Sequence, residues 1–211
     1  YKRQSYGGNN YLGQQKGKPL DQSLEINDFR ISGAVHINGY LWFTHTDQLE
    51  IDNRYKTGIR WIQMDPNLLT IKQWGTIKDD STNTSYFYSN ISVDKNDNAL
   101  ISFGRTSPNT YPSLGYTYRN STDLNNTMRK YYIYKASLYS NFYVGTGNRN
   151  RWGDYFGSAI EPNNLGKFWV SGEYSKYDNL WATSIAQVSL NCATRPTICL
   201  LYTSPSPRDK R

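Results

Sequence analysis

The chain has 211 residues, 37% hydrophobic and 19% charged, with aromatics at 15% and 19 tyrosines. That aromatic load argues against disorder, no apolar run approaches the roughly 18 to 20 residues of a membrane-spanning helix, and the dominance of Tyr, Trp, Thr, Ile and Val argues against a helical bundle. The net charge is +7, but the basic residues are scattered, so the pattern lacks the patch that a nucleic-acid partner requires.

The chain begins at Tyr1 with no signal peptide in view, and its true beginning is expected upstream. Residues 1 to 28 open on a Gly-, Gln- and Asn-rich stretch without periodicity, which reads as a linker or the remnant of a preceding repeat unit. From Ile31 the grammar changes to short alternating segments. Asn38-Gly39 separates ISGAVHI from YLWFTHT, and because both turn residues adopt positive φ readily, a two-residue hairpin is predicted. That turn sets His36 opposite Leu41 and His45 opposite Ser32, leaving the two histidines about 13 Å apart along the hairpin and unable to share a metal ion.

Two further strands, TGIRWIQMD and LTIKQWGTI, complete this first unit. A second unit runs through SNISVD, the turn Lys95-Asn96-Asp97-Asn98, ALISFG, SLGYTYR and RKYYIYKASL. A third runs through FGSAIEP, a turn at Asn163-Asn164-Leu165-Gly166, KFWVSGEY and WATSIAQVSL. The repeat predicts an all-β fold over residues 29 to 190: a partial β-propeller of about three blades, each with three to four antiparallel strands. A β-sandwich is the structural alternative. Trp61 and Trp169 are expected in the core.

Residues 191 to 198 are expected to end the native sequence. The run from Cys199 to Asp209 looks like a translated sequencing adapter, so residues 199 to 211 are expected to be artefactual and disordered. Cys192 is then the lone native thiol, and no disulfide framework is expected.

Several segments carry a resemblance in order and approximate spacing. These are Gly58-Ile59-Arg60-Trp61, Ile91 to Asn98, Tyr111-Pro112-Ser113, Tyr116-Thr117-Tyr118-Arg119, Arg151-Trp152-Gly153-Asp154-Tyr155, Glu161-Pro162, Phe168-Trp169, Glu173-Tyr174 and Trp181-Ala182-Thr183. Together they resemble a family of exported bacterial proteins with a β-propeller of the sialidase type. The chain departs from the family pattern at Asp97, where Gly is usual, and at Glu161, where Asp is usual. The resemblance implies an extracellular or cell-surface scaffold, with further N-terminal blades of the same protein as neighbours, and implies no established reaction.

Arg151, Trp152, Asp154 and Tyr155, with Tyr118 and Arg119, are the expected ligand contacts. An arginine fork meets carboxylates, aromatic rings stack on sugars and an aspartate accepts sugar hydroxyls. The competing structural role sets Arg151 against Asp154 and buries Trp152. Asp94, Asn96 and Asn98 offer oxygens at alternating positions as a calcium candidate, against a plain hairpin turn whose Asx side chains bond their own backbone. No other cofactor is expected. The expected function is binding or scaffolding toward glycans or surface proteins. The alternative is a sialidase-like glycoside hydrolase using Glu173, Tyr174 and Arg151, although neighbours in a strand point to opposite faces. A third possibility, a structural module beside a catalytic domain, needs no site.

Overall fold

The structure, a computed structural model, describes residues 12–26, 29–51, 54–143, 150–153, 155–163, 166–190 and 197–205. It is all-β, built from three four-stranded antiparallel sheets in which each strand pairs with the next in sequence. The first sheet holds β3 (Ile31–Ile37), β4 (Tyr40–Ile51), β5 (Arg54–Asp65) and β6 (Thr70–Ile77). The second holds β7 (Ser85–Val93), β8 (Ala99–Ser107), β9 (Thr110–Arg119) and β10 (Tyr132–Lys135). The third holds β11 (Gly157–Ile160), β12 (Lys167–Tyr177), β13 (Leu180–Ser189) and β14 (Thr197–Pro205). A fourth, minimal pair joins β1 (Leu12–Gly13) to β2 (Leu24–Glu25).

Turn chemistry sets the registers. Asn38 and Gly39 sit at φ 50° and 77°, the left-handed pair of a type I′ turn, and His36 faces Leu41 as the turn dictates. His45 faces Ile31 rather than the expected Ser32, because β3 advances from Ile31 to Gly33 while β4 steps only from His45 to Thr44. Ser32 is the extra residue of a β-bulge, and its hydroxyl donates to the Ser89 carbonyl of β7 at 2.6 Å. In the β7–β8 turn Asp97 adopts φ 61°, a left-handed position that favours glycine and that Asp tolerates better than most residues.

The sheets stack face to face, the second between the other two. Trp42, Ile59 and Trp61 of the first sheet form one core with Tyr86, Ile91, Ile101 and Phe103 of the second. Phe87, Leu100, Leu114 and Tyr116 of the second form another with Phe168, Val170, Ala182 and Val188 of the third. At the first junction the chains approach backbone to backbone: a Cβ on Gly33 would lie 3.0 Å from the Ile91 nitrogen. Trp42 and Trp61 stack at 6.2 Å, so the expectation for Trp61 holds. Trp169 is a correction. Strand alternation gives the core position to Phe168, and half-buried Trp169 turns its indole N–H to the Glu161 carboxylate at 2.9 Å.

The two terminal segments pack as follows. Within residues 12–26 the chain is a strap held against the sheets. Leu24 and Ile26 are buried in the core between the second and third sheets, and the Gln15 side chain makes a reciprocal pair with the Asn141 backbone at 2.6 and 2.8 Å. Residues 197–205, which include part of the stretch expected to be disordered, form β14 along β13 from Ser189↔Thr197 to Ala182↔Pro205. The physical reason is that β13 otherwise presents an unpaired row of N–H and C=O groups, which an extended segment satisfies whatever its origin.

Candidate functional site

The structure separates the residues that sequence placed at one site. Trp152 is buried in the same core as Phe156 and Tyr88, so it offers no ring to a sugar, while Tyr155 three residues on is 75% exposed. Gly153 at φ 55° makes the turn between them. Arg151 is exposed and its backbone bridges to Glu25 of the strap; Asp154 lies outside the described residues.

Tyr118 and Arg119 are likewise buried, which corrects their expected role as ligand contacts. Arg119 donates from Nη2 to the Asp123 carbonyl at 3.2 Å and lies 5.9 Å from the Trp61 ring, with burial lowering its affinity for the proton. Tyr118 accepts from Arg129 Nη1 at 3.3 Å, and Arg129 forms a two-point pair with Asp123, both contacts at 2.7 Å. These residues fasten the β9–β10 loop. Tyr174 is buried in the core, and Glu173 beside it belongs to the opposite, half-buried face of β12.

Asp94 is 2% exposed, and its oxygens are committed to the turn. Oδ1 accepts the backbone N–H groups of Asn96 and Asn98 at 2.9 and 3.0 Å, and Oδ2 accepts the Asn98 amide at 3.0 Å. N–H donors directed at both oxygens do not fit a calcium ligand. Among the described residues no three His, Cys, Asp or Glu side chains converge to hold a metal.

The concave feature lies elsewhere. A cleft of about 1400 Å³ opens between the first and second sheets. Tyr55, Lys56 and Thr57 at the start of β5 form one wall, and Arg105 with the Pro108-Asn109 turn of β8–β9 forms another. Asp79 and Ser81 to Ser85 of the β6–β7 connection, Tyr131, and Leu12, Gln14 and Leu20 of the strap complete it. The chain is built to hold these walls. Lys56, 6% exposed, donates from Nζ to the carbonyl oxygens of Asp79 and Thr82. Asp79 Oδ1 gathers Ser81 N, Ser81 Oγ and Thr82 N at 2.8 to 3.2 Å; burial pushes its carboxyl up, but the Ser81 and Thr82 hydrogen bonds together outweigh that and hold it below its ordinary value. Thr106 Oγ1 and Asn83 Nδ2 reach the Gln14 backbone and side chain at 2.9 and 2.7 Å, tying the strap to both walls.

No family model, curated protein or solved structure matches the chain. The site is therefore defined by its own residues. Its lining is hydroxyls and amides, with Tyr55 65% exposed at the rim and Arg105 half-buried inside. Sequence reading missed it because its walls come from five separate segments. A signal was present, though: in a meander the β4–β5 and β8–β9 connections and the β6–β7 crossover all fall at one end, and KDDSTNT with PNT are the polar stretches that meet there.

Proposed function

We propose that the chain is an exported binding module, a partial β-propeller whose three sheets are consecutive blades, and that it binds glycans in the cleft between the first two. The blade assignment is supported by three sequential meanders stacked face to face, with the first strands of neighbouring sheets in contact. The outer faces of the first and third sheets are where further blades of a longer protein would stack.

The observation that carries the glycan reading is the lining of the cleft. Sugars present many hydroxyls and a flat apolar face, and are held by amide and hydroxyl side chains with an accessible aromatic ring. Gln14, Gln48, Asn83 and Asn109 supply the first and Tyr55 the second. A surface protein at the same end of the fold is the competing ligand, and exposed Tyr139 and Tyr177, 5.9 Å apart, lie on that end too. A catalytic reading gains no support, since Tyr174 is a core residue.

Presenting the protein to a panel of immobilised neutral and acidic polysaccharides is expected to give selective binding. Tyr55→Ala should weaken it about tenfold with the fold intact, because the ring is solvent-facing. Binding to none of the panel, or binding indifferent to Tyr55→Ala, overturns the cleft as a glycan site.

A further inference from the structure

Among the described residues that line it, the cleft carries two cations, Lys56 and Arg105, against one carboxylate, Asp79. Arg105 leaves β8 opposite Ser113, and its guanidinium carbon lies 5.1 Å from the centre of the Tyr131 ring. Its one hydrogen bond among the described residues runs from Nη1 to the Tyr131 hydroxyl at 3.2 Å, a neutral acceptor, and its Nε–H is buried without a partner. Two other arginines of the fold are paired with carboxylates: Arg60 with Asp47 at 2.7 Å and Arg129 with Asp123 at 2.7 Å. The second cation of the cleft, Lys56, spends its donors on backbone carbonyls. Among the described residues the only carboxylate in the lining is Asp79, whose Oδ1 is tied to its own turn. A half-buried guanidinium facing a neutral phenol pays desolvation without an opposing charge. A ligand that brings the charge removes that deficit.

We propose that the preferred occupant of the cleft is an anionic saccharide, with a fixed negative charge on the sugar received by the terminal nitrogens of Arg105. This rests on the glycan reading above and adds its charge specificity. Tyr131 holds the guanidinium through the Nη1 bond, leaving the other edge of the fork to the ligand. Carboxylate and sulfate share this chemistry, and either can fill the role.

The test compares binding of the full chain to polygalacturonate, dextran sulfate and unmodified dextran. At least one acidic polymer is expected to bind about tenfold or more tighter than dextran, and Arg105→Gln should remove that preference while leaving dextran binding unchanged. Lys72→Gln, an exposed cation outside the cleft, serves as the control for the chain's overall positive charge and should change acidic binding less than twofold or so. If Arg105→Gln compromises folding, the wild-type chain still decides the matter: a soluble uronate or sulfated oligosaccharide should protect the Thr106 amide from hydrogen exchange, and a neutral one of equal length should protect it less. Equal affinity for dextran and both acidic polymers, or equal losses from Arg105→Gln and Lys72→Gln, overturns the charge specificity and leaves the glycan site standing. Binding to none of the three polymers removes both.

Discussion

The first and second sheets use the same four-strand grammar and bury it differently. In β4, from Leu41 to Thr46, buried and half-buried residues alternate, and β6 begins with exposed Thr70, Ile71 and Lys72. In β7 and β8 nearly every residue is buried on both faces. The local sequence does not cause the difference; position in the stack does, because the second sheet has a neighbour on each side. The row Ala34, Phe43, Ile62 and Trp74 across the first sheet forms an end face that is apolar, continuous and half open.

The contrast is sharpest at two phenylalanines. Phe103→Ala in the second sheet should cost about 3 to 5 kcal/mol by urea unfolding, the value for a fully buried ring, whereas Phe43→Ala on the open face should cost about 1 kcal/mol. Equal costs would show the face of the first sheet to be covered in solution. Two glycines separate contact from conformation. Gly33→Ala presses a methyl against the Ile91 backbone and should cost about 2 kcal/mol, while Gly39→Ala meets no atom within 4 Å and should cost about 1 kcal/mol from its φ of 77° alone.

The smallest effect is pH-dependent and touches the loop that bridges the two sheets. Hydrogen bonds from Arg129 hold the Asp123 carboxyl below its ordinary 3.8, against the upward push of burial. A depressed carboxylate contributes stability that is complete above that ordinary value and is lost as pH falls through the lower folded value. With Arg129 side-chain exposure at 42%, the contribution is below about 1 kcal/mol. Acidification should therefore free the Trp74 amide, which donates to Asn126 of that loop at 3.0 Å, before it affects the third sheet, and Asp123→Asn should abolish the difference in hydrogen exchange.

Much of the fold was legible because strands and turns are local. Asn38-Gly39 announced its hairpin and the His36–Leu41 pairing, and the Asx side chains of the Asp94–Asn98 turn announced that turn. The register then drifted by one residue at Ser32, since a bulge depends on what the neighbouring sheet offers: here the Ser89 carbonyl. Trp169 left its expected place in the core for a related reason, while Trp152 took the buried one of the two roles the sequence offered. Alternation states that two faces exist, and only the stacking decides which face is covered. The cleft was illegible as a unit because Tyr55, Asp79, Arg105 and Gln14 meet through packing between sheets, which no spacing along the chain encodes.

The strap has a consequence for how the molecule is made. Gln15 and Asn141 are 126 positions apart, and Asn150 Nδ2 also reaches back to the Gln22 and Ser23 carbonyls at 3.3 Å. A ribosome releases residues 12–26 before the sheets they dock on, and their partners Asn141 and Asn150 emerge only after the second sheet is complete. Leu24 and Ile26 therefore wait for sheets made after them, and their docking is a late, loop-closing step whose entropy cost is already reduced by the strands folded in between.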